Sequence, residues 1–234
     1  MQRRQFAILQ FGTLAVLQHA LMSKAWALSL ADLGQGDATK GLKAALDQAA
    51  SAAIGLLGVK DGFLGNAKVR IPLPGYLEQA AGLLRNFGQG DRIDELVTAM
   101  NRGAEAAVPK AKDIMARAVS TMTVDDAKGI LTGGDTSVTN YFQSKTRADL
   151  TVQFLPIVTA ATSKLGLADK YNQVAGKASE FGLVKPEDAN IEHYVTNKGL
   201  DGLFLTIGDE EKKIRQNPAA YGSAILTKVF SALQ

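Results

Sequence analysis

Apolar side chains recur every three to four positions along most of the chain, a spacing that predicts amphipathic helices separated by glycine and proline. The first such segment, residues 37–58, has Asp37 as a candidate cap, and one of its faces carries Leu42, Leu46, Ala49, Ala53 and Leu57. The same pattern predicts further helices near 74–88, 91–121, 123–134, 135–166, 168–181, 188–215 and 218–232. No segment alternates polar and apolar residues long enough to predict a strand. We therefore expect an all-α, single-domain bundle of about seven to eight helices.

Residues 62–77, GFLGNAKVRIPLPGYL, interrupt this pattern with three glycines and two prolines, yet they are too apolar for a solvated loop. We expect residues 62–75 to form an extended strap across the helices, because a proline disfavours helical geometry in the residue before it. Arg70 is the one strong cation in its apolar half, and a buried guanidinium requires an acceptor. Two interpretations stay open: the strap closes the core, or it is the lid of a ligand cleft to which Arg70 and Tyr76 present polar groups.

The predicted helix over residues 91–121 carries Asn101, Glu105 and Lys112 within a narrow arc beside its apolar face. Pro109 removes the N–H that would bond the carbonyl of Glu105, so we expect a kink there. These side chains form either a hydrogen-bond cluster that positions two helices or a polar patch that borders a cleft. On the second interpretation, the candidate ligand-binding residues are Arg70, Tyr76, Asn101, Glu105 and Lys112.

Four ordered blocks of sequence carry a family resemblance that runs from about Gly41 to the C-terminus. They are KVRIPLPGYLEQAAGLLRNFG, MNRGAEAAVPKAKDI, YFQSKTRADLTVQFLPIV and KGLDGLFLTIGDEEKKIRQNPAA. Together they resemble the bacterial envelope family called domain of unknown function 4197. The resemblance implies an exported, helical, single-domain protein, and it brings neither an established activity nor catalytic residues.

The first 27 residues resemble an export signal, with the basic start MQRRQ, an apolar stretch over residues 6–21 and a small-x-small cleavage site ending at Ala27. The apolar stretch is shorter than the roughly 20 residues that span a bilayer, so we expect no permanent membrane anchor. RRQF also matches part of a twin-arginine signal, and that route and general secretion both stay open. The alternative is an amphipathic first helix of the folded domain. On the export hypothesis the protein is periplasmic or otherwise exported, residues 28–40 are a short linker and helix cap, and residues 41–234 are the helical domain.

The charge balance changes when the predicted signal is removed. The full chain has 26 basic and 23 acidic residues, and residues 1–27 contain three basic residues and no acid. The predicted mature chain therefore has 23 residues of each sign and a formal net charge of zero, so a basic footprint for nucleic acid is not supported.

Recognisable catalytic motifs are missing from the sequence. There is no cysteine, and the predicted mature chain has one histidine, His193, which any Ser-His-acid relay would have to use. We expect no cofactor and no metal site. The sequence favours an envelope protein that binds an apolar small molecule or a protein partner without catalysis. The alternative is a hydrolase that lacks a recognisable motif.

Overall fold

The computed structural model describes residues 35–134 and 136–221, and it confirms the all-α fold, since these residues contain no strand. The predicted signal, residues 1–27, lies outside them, as does most of the predicted last helix. The described residues form eight α-helices, numbered here in chain order: α1 (Gln35–Leu57), α2 (Gly75–Asn86), α3 (Gly90–Ala107), α4 (Ala111–Ser120), α5 (Val124–Thr132), α6 (Ser137–Thr162), α7 (Gly166–Glu180) and α8 (Ile191–Gln216). Short 3-10 turns occupy Val108–Lys110, Pro186–Asp188 and Pro218–Tyr221.

Helices α6 and α8 form the centre of the bundle and run antiparallel, because Thr162 hydrogen-bonds Glu192 while Arg147 pairs with Asp201. Helix α3 packs on α6, and α1 packs on α8. The largest fully buried side chains include Phe142, Phe154, Phe204, Leu42, Leu46, Ile93 and Leu96. The core therefore combines the apolar faces that the periodicity predicts in these helices.

Helices α3 and α6 approach each other at Gly103. A Cβ at that position would lie 3.1 Å from the Cβ of Ala161 and 3.4 Å from the Cα of Val158. A larger residue would push the two helices apart, because close-packed interiors leave little space to absorb extra atoms. The close contact at Gly103 therefore sets the orientation of α3 and leaves its opposite face pointing away from α6.

The predicted kink at Pro109 is a complete break. Helix α3 ends at Ala107, the residues Val108–Lys110 form a 3-10 turn, and α4 continues from Ala111. By contrast, Pro156 does not end its helix, since α6 is assigned without interruption from Ser137 to Thr162.

Helix α1 already includes Gln35, so part of the predicted linker over residues 28–40 is helical. Asp37 lies inside this helix, and the prediction that it caps the helix was wrong. Gln35, Ala38 and Lys40 favour helix in this segment, although Gly36, Asp37, Thr39 and Gly41 are weaker helix formers.

The strap, residues 62–75, is only partly extended, which corrects the prediction. Residues 61–65 and 67–69 form turns, and residues 70–74 adopt neither helix nor turn. Asn66 explains the difference: its backbone carbonyl accepts hydrogen bonds from the N–H groups of Val69 and Arg70, and its side chain accepts one from Lys68. A side-chain acceptor that bonds the backbone two residues later is typical of an Asx-turn.

No single helix among the described residues is long and apolar enough to cross a membrane. Helices α6 and α7 are long and apolar enough only when they are taken together, and a bend of 120° separates them.

Candidate functional site

The strap lies on α3 through the side chain of Glu105, which is 5% exposed. Its Oε1 accepts hydrogen bonds from the backbone N–H groups of Phe63 and Leu64, each at 3.0 Å. Its Oε2 accepts from Nη1 of Arg102 at 2.6 Å. A buried carboxylate requires such partners, because leaving it unpaired would cost several kcal/mol. Both oxygens of Glu105 are therefore committed to contacts within the protein.

Asn101 fixes the second half of the strap one helical turn away. Its Oδ1 accepts from the N–H of Ile71 at 2.8 Å, and its Nδ2 donates to the carbonyl of Ile71 at 3.0 Å. The other hydrogen of Nδ2 reaches the carbonyl of Val97 at 2.8 Å. The fully buried amide thus satisfies the backbone of a residue that has no partner in a helix or sheet.

Arg102 connects this cluster to the turn that precedes the strap. Its Nη2 donates to Oδ1 of Asp61 at 2.7 Å. Asp61 has a φ of 68°, a conformation that a non-glycine residue adopts rarely and at some cost. Hydrogen bonds from Arg102 to Glu105 and to Asp61 raise the pKa of the guanidinium, which stays charged. The ion pairs hold Asp61 in its unusual geometry, where the chain turns from α1 into the strap.

Helix α8 supports the other side of the strap. The hydroxyl of Tyr194 donates to the carbonyl of Pro72 at 3.2 Å, and Lys68 pairs with Asp209 at 2.9 Å. At Gly202 the strap comes so close that an added Cβ would lie 2.8 Å from Cε1 of Phe63. Burial, followed by the nearby charge of Asp188, raises the pKa of Tyr194 to about 12, so its hydroxyl remains a donor at neutral pH.

We call these five side chains and one close contact the strap latch: Asp61, Asn101, Arg102, Glu105 and Tyr194, with the contact at Gly202. Two of them, Asn101 and Glu105, are predicted site residues that the structure brings together. The sequence analysis missed the other four. The spacing of Arg102 and Glu105, three residues apart on one helix, was a local signal for their ion pair, whereas the contacts of Asp61, Tyr194 and Gly202 join segments far apart in the chain.

The remaining predicted site residues do not join the latch. Arg70 is exposed, contrary to the expectation of a buried guanidinium, because the side chains of the strap alternate: Val69, Ile71 and Leu73 are buried, while Arg70 and Pro72 are exposed. Lys112 is exposed on α4, beyond the break at Pro109. Tyr76 belongs to α2, and its side chain lies outside the described part of the structure. Ligand binding by the five residues stays a prediction.

Two surface clefts are lined by helices and turns outside the strap, and one of them includes Tyr194 of the latch. One, of about 390 Å³, is lined by Arg147, Lys185, Glu187, Asp188, Tyr194, Asn197, Lys198 and Asp201. The other, of about 530 Å³, is lined by Asp125, Asp126, Gly129, Ile130, Ser137, Asn140, Tyr141 and Ser144. No residue of the strap lines either cleft, so neither of them is the cleft between strap and α3 that the lid interpretation requires.

His193, the residue that any Ser-His-acid relay would have to use, lies at the surface. His193 is exposed in the first turn of α8, where its N–H donates to the capping side chain of Asn190 at 2.9 Å. Within residues 35–134 and 136–221, no three His, Cys, Asp or Glu side chains are grouped so that they could hold a metal ion.

Comparison with known protein families identifies a family for this chain. The model of a family described as "Protein of unknown function (DUF4197)" matches residues 32–231. No curated protein and no solved structure matches the chain.

Proposed function

The chain belongs to this family of proteins of unknown function, DUF4197, and on that premise we propose that it is an exported, non-catalytic envelope protein that binds a protein partner through the outer face of the strap. The observation that carries the proposal is the strap latch. The polar side chains that could have received a ligand beneath the strap are already bonded to the backbone of the strap itself. These bonds hold the strap against α3, which supports a partner at its outer surface over an apolar small molecule beneath it.

The latch also supports a binding role for Arg70. The latch fixes the backbone N–H groups of Phe63, Leu64 and Ile71, so the exposed guanidinium of Arg70 is carried on a rigid segment. Preorganised contact residues bind more tightly because less conformational freedom is lost on binding. Arginine is also enriched among the side chains that contribute most to protein interfaces.

The charges around Arg70 favour a partner with acidic groups. Arg85 and Arg102 are paired with Asp94 and with Glu105 and Asp61, respectively. The hydrogen bond and the charge of Arg85, followed by the charge of Arg70, lower the pKa of Asp94. Arg70 forms no ion pair with any residue that the structure describes. A carboxylate of the partner would form a bidentate contact with such a guanidinium.

The experiment combines cross-linking in the producing cells with N-terminal sequencing of the protein from the envelope fraction. We expect a mature N-terminus at Leu28 and one cross-linked partner protein whose adduct is lost in Arg70→Ala. Arg92→Ala is the matched control, because Arg92 is also exposed and forms no ion pair among the described residues.

Three results would overturn the proposal. An N-terminus at Met1 in the envelope fraction would contradict export with cleavage. Equal loss of the adduct in both arginine variants would show that the strap is not part of the interface. A lipid-like molecule that is extracted in equimolar amount from the purified protein would favour the apolar small molecule instead.

A further inference from the structure

The turn that follows α7 exposes two large apolar side chains. Phe181 is 79% exposed and Leu183 is 77% exposed. Gly182 lies between them with a φ of 69°, and the N–H groups of Gly182 and Leu183 donate to the carbonyls of Ser179 and Ala178, each at 2.9 Å. This pair of hydrogen bonds is the Schellman motif that ends many helices.

The turn holds the two side chains outward. The next residue, Val184, is only 8% exposed and packs into the core. The chain is thus fixed on both sides of Leu183, by the closed turn and by a buried anchor. The exposure of Phe181 and Leu183 is a property of the folded turn, and water contact with both side chains is unfavourable.

Lysines surround these apolar side chains on the exposed face of α7. Lys170, Val174, Lys177 and Phe181 follow one another at intervals of three or four residues, so they share one stripe of the helix. All four are exposed, and Lys185 is exposed just beyond the turn. None of the three lysines pairs with a carboxylate in the part of the chain that the structure describes.

The exposed acids of α7 itself lie to one side of this stripe, and Glu187 is exposed two residues beyond Lys185. At about 100° per residue, Asp169 and Glu180 fall roughly 80–100° around the helix from Lys170. A flat anionic surface that meets the stripe would therefore contact lysines and apolar side chains first. We call the side chains of Lys170, Val174, Lys177, Phe181, Leu183 and Lys185 the α7 face.

We propose that the α7 face docks the protein onto an anionic lipid surface. The shape favours a membrane over a protein groove, because Phe181 and Leu183 protrude from a helix end. Peripheral proteins bind membranes by burying apolar side chains at the level of the headgroups, while lysines attract anionic lipids. The inference depends on the proposed function only for export to the envelope, and it is independent of any partner at the strap.

The test is flotation of the protein, purified from the envelope fraction, with two kinds of vesicle. One kind contains equal parts of phosphatidylglycerol and phosphatidylcholine, and the other contains phosphatidylcholine alone. We expect flotation with the anionic vesicles and little with the neutral ones. Because apolar insertion and charge both contribute, Phe181→Ser and the double change Lys170→Glu/Lys177→Glu should each reduce the bound fraction by about tenfold.

Matched controls come from the same chain. Phe87 is 78% exposed at the end of α2, so Phe87→Ser removes an equally exposed phenylalanine from another surface. Lys110→Glu/Lys128→Glu reverses two exposed lysines on other elements. Both controls should float as the unmodified protein does. Every variant carries the same residues before Gln35, so a contribution of that segment is common to all of them.

The outcomes separate this inference from the proposed function. Absence of flotation with anionic vesicles, or equal losses in Phe181→Ser and Phe87→Ser, would overturn the docking of the α7 face whether or not a partner binds the strap. Equal flotation with both kinds of vesicle would also overturn it, because the lysines would then have no role. A protein adduct that is lost in Phe181→Ser, without vesicle binding, would reassign the α7 face to a protein interface.

Discussion

Asn101 and Ile71 exchange two hydrogen bonds across the interface between α3 and the strap: the amide oxygen accepts from the N–H of Ile71 at 2.8 Å, and the amide nitrogen donates to its carbonyl at 3.0 Å. The side chain thus replaces the partner that a neighbouring strand would provide. Since Ile71 is 1% exposed, water cannot take over this role. An irregular segment can be buried here because one side chain satisfies its backbone.

Replacing Asn101 by alanine should therefore destabilise the protein by about 2 kcal/mol or more, because both buried backbone groups of Ile71 would lose their partners. Urea unfolding measures the change in the free energy of unfolding. Asn86→Ala is the control, since Asn86 is exposed at the end of α2, and it should change stability by no more than about 0.5 kcal/mol. Similar values for the two variants would contradict the role of Asn101 in the latch.

Gly202 provides a steric test of the same interface. In Gly202→Ala the new methyl group would lie 2.8 Å from Cε1 of Phe63 and 3.2 Å from Cβ of Val69, and the ring of Phe63 is fully buried. Such overpacking costs roughly 1–3 kcal/mol, of which the better helix propensity of alanine offsets about 1 kcal/mol. Thermal unfolding should show a lower midpoint.

Gly82→Ala is the matched control, because Gly82 is exposed within α2 and a Cβ there meets no atom within 4 Å. That substitution should stabilise the protein by about 0.5–1 kcal/mol. A stabilised Gly202→Ala variant would show that the strap can move away from α8 at little cost, which the latch does not allow.

The sequence predicts most of this fold because helices depend on local patterns. The apolar periodicity predicts the major helices, and the chemistry of Pro109 predicts the break between α3 and α4. The sequence also predicts that Asn101 and Glu105 act together, since they lie one turn apart on α3. It does not predict that they bind the strap, because the strap begins about forty residues earlier and a contact over that distance depends on packing.

Two predictions that the structure corrects, the burial of Arg70 and the fully extended strap, are contradicted by local sequence patterns. Val69, Ile71 and Leu73 alternate with Arg70 and Pro72, and this period of two predicts Arg70 on the exposed side. Asn66, followed by turn-forming small and polar residues, is typical of a turn. Asp61 is also followed by Gly62, a pair typical of turns, and aspartate is among the residues that adopt a positive φ more often, whereas its contact with Arg102 in α3 has no local signal.

The N-terminus of α5 predicts a dependence of stability on pH. The N–H and hydroxyl of Thr123 donate to Oδ2 of Asp126 at 3.0 and 2.8 Å, while the hydroxyl oxygen accepts from the N–H of Asp126. These hydrogen bonds, with a smaller contribution from Lys145, lower the pKa of Asp126 below its usual 3.8. The stabilisation is therefore complete above pH 3.8 and is lost as the pH falls through the lower pKa of the folded state.

Asp126→Asn should thus cost about 1 kcal/mol at neutral pH, the usual contribution of a helix cap. Its difference from the unmodified protein should shrink as the pH falls below 3.8. Urea unfolding over a series of acidic pH values measures this difference. A constant difference would contradict the assignment of the effect to the carboxylate, whereas Asp125→Asn, which changes an exposed acid in the same turn, should leave the pH profile nearly unchanged.

Tyr194 makes the strap sensitive to alkaline pH. Burial, then the charge of Asp188, raises its pKa from 10 to about 12, and its hydroxyl donates to the carbonyl of Pro72. A group whose pKa is raised on folding contributes stability that is complete below its unfolded pKa, here 10, and is lost as the pH rises towards 12. Ionisation would also place a negative charge beside a carbonyl oxygen of the strap.

Tyr194→Phe should cost about 1 kcal/mol at neutral pH, because the hydroxyl and its bond to Pro72 are lost, and this cost should vanish between pH 10 and 12. Tyr141→Phe separates the strap from a general alkaline effect: burial raises the pKa of Tyr141 to about 12 as well, but its hydroxyl donates to Ala118 in α4. Hydrogen exchange at the N–H of Ile71 should accelerate in Tyr194→Phe and stay unchanged in Tyr141→Phe. Equal acceleration of exchange in both variants would mean that the strap opens only when the whole bundle unfolds. Tyr194 would then not stabilise the strap specifically.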